Sequence, residues 1–165
     1  MNSMSGNGRK EAAAMEMTAA EALVRILEQK GVDKVFGIPG AGILPVFDAI
    51  AQGSSIKTYV VRHEQTSIFA ADGYSRATGK VGVCAVTSGP GATNLVSGLY
   101  GAWFDRVPLI ALTGQVVASA IGTMAFQEAP TPAIVAPVTK AVFQPLNAAD
   151  VPRVVYEAFR VATTA

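Results

Sequence analysis

The chain has 165 residues, half of them hydrophobic and 15% charged, with a formal net charge of +1. That length suggests one domain with ample core material, and the scattered, nearly balanced charge excludes an electrostatic case for nucleic acid or an anionic membrane. No run approaches the roughly 18 apolar residues of a membrane span, while the single Cys84 excludes an internal disulfide and fits a reducing cytoplasm.

Residues 1–16 are small and polar and contain no apolar core of a secretory signal. They read as a disordered leader or an expression remnant, with the domain itself spanning 17–165. Thr18-Ala-Ala-Glu21 is a capping-box pattern ahead of Leu23, Val24, Ile26 and Leu27. It predicts a helix over Thr18–Lys30, stopped by Gly31. A short strand follows over Lys34–Ile38, then a tight loop, Pro39–Gly42, and a helix over Ile43–Ala51. Ile56–Val61 reads as a buried strand and Glu64–Thr78 as a buried helix. Lys80–Thr87 is a nearly unbroken apolar strand that takes Cys84 inside as a small hydrophobe. The loop Ser88–Asn94 runs into a helix over Ala92–Phe104, and Val107–Gly114 is another buried strand. Gln115–Pro137, with Pro130, Pro132 and Pro137, is irregular and long enough to suggest a functional loop. Thr139–Phe143 reads as a fifth strand, and Asp150–Thr163 as a closing helix with Pro152 in its first turn.

Strands and helices thus alternate at spacings of about ten to fifteen residues, which predicts a parallel sheet covered on both faces. The fold class is α/β, a three-layer α/β/α arrangement with a mostly parallel, doubly wound sheet. The chain ends on a helix with no strand after it, so a last strand is expected to be missing and the domain truncated. Ligands in such sheets sit beyond the carboxyl ends of the strands. Pro39–Gly42, Arg62–Glu64, Ser88–Asn94 and the stretch after Gly114 fall there.

Glu64 is the sharpest residue. It stands where a strand hands over to a helix, and either faces solvent in a helix first turn, where the dipole favours an acid, or is kept inside for chemistry. Burial of an unpaired carboxylate costs several kcal/mol, against a domain stability of about 5–15 kcal/mol. His63, the only histidine, is either a proton carrier or a packing or hydrogen-bonding group. No cluster has metal-ligand spacing. "TSGPGATN" and "GIPGAG" lack the lysine of a phosphate loop and the spacing of a dinucleotide fingerprint. Their glycines either bind phosphate, permit a sharp turn, or let a flat ring approach the backbone.

The segments "VFGIPGAGILPVFDAI", "RHEQ", "AADGYSRATGKVGV", "TSGPGATNLVSGLYGAWFDRVPLIALTGQV" and "AFQEA" together resemble the N-terminal pyrimidine-binding domain of thiamine-diphosphate enzymes, especially the acetolactate synthase branch. The similarity runs from about Thr18 to Thr164. The resemblance implies the thiamine-diphosphate-binding fold and a role for Glu64. That residue would hydrogen-bond N1′ of the aminopyrimidine and so activate thiamine diphosphate toward the carbonyl of a 2-oxo acid such as pyruvate, giving 2-acetolactate. It also implies that Pro39, Gly40 and Ala41 line the pyrimidine pocket. Gly89, Pro90 and Asn94 would lie against the cofactor, with Pro90 and Asn94 supporting their loop. Phe126 and Gln127 would face the cofactor's substrate side, and Val107 and Pro108 the substrate entrance.

In the family, Mg²⁺ and the diphosphate are held by a separate domain with a GDG motif, and acetolactate synthases add an FAD-associated domain. Neither is found here; "ADG" at Ala71–Gly73 falls inside a helix. The resemblance therefore implies half a cofactor site, completed by a diphosphate domain from a second subunit of a homodimer or homotetramer, and no turnover by this chain alone. Two alternatives stay open: another branch of the family (a 2-oxo-acid decarboxylase, an oxalyl-type lyase or an acetyltransferase) or a non-catalytic partner domain. Met124, where an Asp commonly precedes "AFQEA", and the bulky Trp103 and Phe104 are departures that bear on that choice.

Overall fold

A computed structural model describes residues 16–164. Residues 1–15, and with them nearly all of the expected leader, lie outside the described residues. Among these residues four strands form one parallel sheet: β1 (Lys34–Gly37), β2 (Lys57–Val60), β3 (Gly82–Val86) and β4 (Leu109–Thr113), in the order β2-β1-β3-β4. Among the described residues seven α-helices accompany them: α1 (Ala19–Gln29), α2 (Leu44–Ala51), α3 (Glu64–Thr78), α4 (Pro90–Thr93), α5 (Val96–Phe104), α6 (Thr131–Val135) and α7 (Val151–Thr163).

The sheet divides the core in two. On one face Leu27 of α1, Phe47 of α2 and Val155 and Phe159 of α7 pack with Val35, Val83 and Ala85. On the other, Ile68 and Ala71 of α3 and Leu95 and Leu99 around α5 pack with Cys84 and Val86. Successive residues of β3 therefore enter opposite cores, and every residue of the strand is buried. This is why "VCAV" is continuously apolar instead of alternating. The capping box of α1 forms as its sequence predicts, with Glu21 N–H donating to Thr18 Oγ1 at 3.2 Å and Thr18 N–H donating to the Glu21 carboxylate at 2.6 Å.

Three expectations are corrected. Β2 is not buried: it is the sheet edge, and Tyr59 and Val60 are exposed. The helix expected over Ala92–Phe104 is interrupted after α4, where Leu95 N–H bonds Ala92 O in a tightened, 3₁₀-like step. Thr139–Phe143 forms no strand. It follows a 3₁₀ turn at Ala136–Val138, and Lys140 Nζ donates to the carbonyls of Val161, at 2.8 Å, and Thr164. The segment is thus drawn to the electronegative end of α7 and not to a sheet edge.

At the amino ends of the strands, Asp33 pairs with Lys34 at 2.8 Å and Lys80 at 3.5 Å and accepts a hydrogen bond from Tyr74. Lys34 and Tyr74 hold its carboxyl well below the usual carboxylate range. On α5, Tyr100, Trp103 and Phe104 face outward, with ring centroids 6.3 Å apart in both the Tyr100–Trp103 and Tyr100–Phe104 pairs.

The seam between α3 and α5 is set by Gly98. A Cβ there would stand 2.3 Å from Cγ2 of the fully buried Ile68. Overpacking of this kind costs about 1–3 kcal/mol. Gly98→Ala is expected to lower the urea unfolding free energy by that amount, and an unchanged midpoint would mean that the two helices separate freely.

Candidate functional site

The chain runs from β1 outward to β2, then crosses back to β3 on the other side of β1. The winding direction reverses there, and a crevice opens between the carboxyl ends of β1 and β3. The loop after β1, residues 38–43, and the loop after β3, residues 87–89, border it.

Glu64 is the first residue of α3 and is half-buried. Asn94 Nδ2, from the break between α4 and α5, donates to Glu64 Oε2 at 2.9 Å. Among the described residues Oε1 receives no hydrogen bond. The interruption that breaks the expected helix is therefore what turns Asn94 toward the carboxylate. His63 precedes them as the N-cap of α3, its Nδ1 accepting from Gln65 N–H at 3.2 Å.

The glycine loops meet closely. Gly89 adopts φ +58° at the start of α4, a conformation that favours glycine. A Cβ on it would lie 2.6 Å from the backbone oxygen of Gln127. A Cβ on Gly91 would lie 3.7 Å from Glu64 Oε1. Pro90 stands exposed at the first turn of α4, and Pro39 and Ala41 are exposed to either side of the half-buried Gly40. Glu64, Asn94, the Gly89–Gly91 turn and the backbone of Gln127 are thus brought together. Val107 and Pro108 are not. They precede β4, at the opposite end of the sheet, where Pro108 O accepts from Ser75 Oγ at 3.0 Å and Gly82 N–H at 3.1 Å. A parallel strand puts its first residues far from its last, so their closeness in sequence to the other motifs does not carry them to the crevice.

Sequence reasoning missed the ties of the long loop. Gln115 Nε2 donates to Ala129 O at 3.1 Å, closing its base. Glu128 lies across its tip, accepting from Gly122 N–H at 2.5 Å and Ala125 N–H at 3.1 Å. Gly122, Met124 and Gln127 all have positive φ, so the tip is tightly wound. Phe126 is left 88% exposed, held out by backbone shape and not by packing. No periodicity marks such a staple; an acid within a Gly- and Thr-containing turn is the only signal. Burial pushes the Cys84 thiol up to about 12, against a smaller opposing pull from Ser67. It stays protonated and is no nucleophile. Among the described residues no group of three or more metal-ligating side chains assembles, and no helix is long and apolar enough to cross a membrane.

Comparison with known proteins decides the family. The family model described as thiamine pyrophosphate enzyme, N-terminal TPP binding domain, matches residues 17–134. The chain belongs to this family. The resemblance read from the motifs is thereby borne out, as are the parallel three-layer fold and thiamine diphosphate as the family's cofactor. Relatives include the acetolactate synthase of Mycobacterium bovis, 49% identical over 92% of this chain and 25% of the relative. The acetolactate synthase large subunit of Corynebacterium glutamicum is 49% identical over 94% of this chain and 25% of that protein. Acetolactate synthase 2, chloroplastic, of Brassica napus is 48% identical over 94% and 24%. This TPP-binding domain thus spans about a quarter of the length of the curated relatives it matches.

The staple has a pH dependence of definite sign. Backbone hydrogen bonds, Gly122 first, hold the Glu128 carboxyl below its ordinary value. The loop binds the charged form, so its ordering is complete above the unfolded carboxylate range and is lost as pH falls through the lowered value. Amide exchange at Gly122 and Ala125, corrected for intrinsic rate, is expected to be protected near neutrality and freed well below about pH 4. Glu128→Ala frees it at all pH; equal protection in variant and wild type would remove Glu128 as the tie.

Proposed function

We propose that residues 17–165 are the pyrimidine-binding half of a thiamine-diphosphate-dependent carboligase or decarboxylase of 2-oxo acids, acting in the manner of an acetolactate synthase on pyruvate. The observation that carries this is the Glu64 carboxylate, with one oxygen fixed by Asn94 and the other without a donor among the described residues, beside glycine turns at the sheet's crevice.

The residues fit the group. An aminopyrimidine ring nitrogen needs one oriented carboxyl oxygen within hydrogen-bond reach, and Oε1 of Glu64 supplies it. Asn94 fixes the carboxylate rotamer and leaves only that oxygen for exchange of a proton. Pro39, Gly40 and Ala41 on one loop, and Gly89 and Pro90 on the other, would wall the ring with backbone and small side chains. Gln127 would approach the cofactor from the long loop, and Phe126 would project to the substrate side. Val107 and Pro108 remain in the proposal only as lining of an entrance formed with another chain. Bound there, thiamine diphosphate supplies the electron sink that lets a 2-oxo acid lose carbon dioxide.

Glu64 lies half-buried at an open edge, so this reading also requires a second wall. It would come from a diphosphate- and Mg²⁺-holding domain of a second subunit in a homodimer or homotetramer, with FAD bound elsewhere in the complete enzyme. We place the enzyme in the cytoplasm, where the buried Cys84 remains reduced.

In the complete enzyme, Glu64→Gln is expected to lower kcat by about 10²–10⁴-fold, the usual worth of a positioned acid–base group, with the unfolding midpoint unchanged. Near-normal turnover in that variant would end the proposal. With pyruvate as sole substrate the wild type is expected to release 2-acetolactate; acetaldehyde as the product would move it to the decarboxylase branch.

A further inference from the structure

Thr87 follows β3 at the crevice, and three glycines converge on it. Gly42 N–H donates to Thr87 Oγ1 at 3.3 Å. A Cβ on Gly40 would stand 2.7 Å from Thr87 Cβ and 2.9 Å from Oγ1. A Cβ on Gly91 would stand 2.8 Å from Thr87 Cγ2 but 3.7 Å from both Thr87 Cβ and Glu64 Oε1. Real Cβ contacts below 3.0 Å essentially do not occur, whereas 3.7 Å is ordinary contact. The space that a side chain at Gly40 or Gly91 would need is thus already filled, and Thr87 fills it. Those two glycines are glycines because of Thr87, not to leave room for a ligand.

We propose that Thr87 is a positioning residue that sets the spacing of the two glycine loops, and through Gly91 the place of the ring beside Glu64. The proposal rests on the functional reading above. Its β-branch divides the work. The hydroxyl anchors the loop after β1 through Gly42, and the methyl wedges the turn after β3 against Gly91. Gly91 lies between that methyl and the Glu64 carboxylate, so a change in the wedge is passed to the carboxylate's side of the crevice. An unbranched or shorter residue would let the loops close, and a second Cβ at Gly91 would force them apart.

The test is a pair of substitutions in the complete enzyme, read by the Kd for thiamine diphosphate with Mg²⁺ and by kcat at saturating cofactor. Gly91→Ala alone is expected to raise Kd by about tenfold, the equivalent of about 1.4 kcal/mol of overpacking carried into binding. Adding Thr87→Ser removes Cγ2 and leaves only the 3.7 Å contacts, so the double variant is expected to recover most of that loss. Thr87→Ser alone is expected to raise Kd more than it lowers kcat at saturation. This variant decides the matter if Gly91→Ala does not fold. A Gly91→Ala enzyme that binds like wild type, a folded Gly91→Ala enzyme that Thr87→Ser does not rescue, or a Thr87→Ser enzyme with unchanged Kd would each overturn the assignment of Thr87. Absence of thiamine diphosphate binding by the wild type would instead overturn the functional reading on which it rests.

Discussion

The reversal of winding between β2 and β3 is the constraint on which the rest depends. A parallel sheet needs a crossover for every strand, and each crossover covers one face. Where successive crossovers leave in opposite directions, two adjacent strands end side by side with no connection closing the gap. Here those strands are β1 and β3. Adjacent strands lie only about 4.8 Å apart, so two loops leaving them together have almost no room for side chains. The Gly-rich character of both loops follows from that spacing, and Thr87 occupies what room there is.

Much of this was legible in the sequence. The unbroken apolar run of β3 marked a strand covered on both faces, and the capping box at Thr18 marked a helix start. Glu64 stood out because a polar residue follows a strand and opens a helix, and the loops at the carboxyl ends of strands could be singled out from the alternation alone. What failed, failed for tertiary reasons. The edge position of β2 depends on strand order, which periodicity does not encode. The break at Asn94–Leu95 is a one-residue change in hydrogen-bond ladder within a segment of helix-like composition. Thr139–Phe143 has strand-like residues, but Lys140 finds the carbonyls at the end of α7. The partners of Glu64 and Glu128 are set by contacts across 30 residues in one case and by turn geometry in the other.

Charge is distributed unevenly between the two ends of the sheet. At the amino ends, Asp33 is surrounded by Lys34, Lys80 and Tyr74, so its charge is compensated and its role is structural. At the carboxyl ends, Glu64 has a single neutral amide as partner. An amide orients a carboxylate without neutralising its charge. Asp33, whose carboxyl its neighbours hold well below the usual range, thus lies at the opposite end of the sheet from the crevice.

The outward aromatic stripe of α5 has a practical consequence. Trp103 is the chain's only tryptophan, it is 47% exposed, and it lies at the far end of α5 from the segment that carries Asn94. Its emission therefore reports whether that helix face is wet or covered. A single indole placed this way reports any covering of that face by a blue shift, without a label.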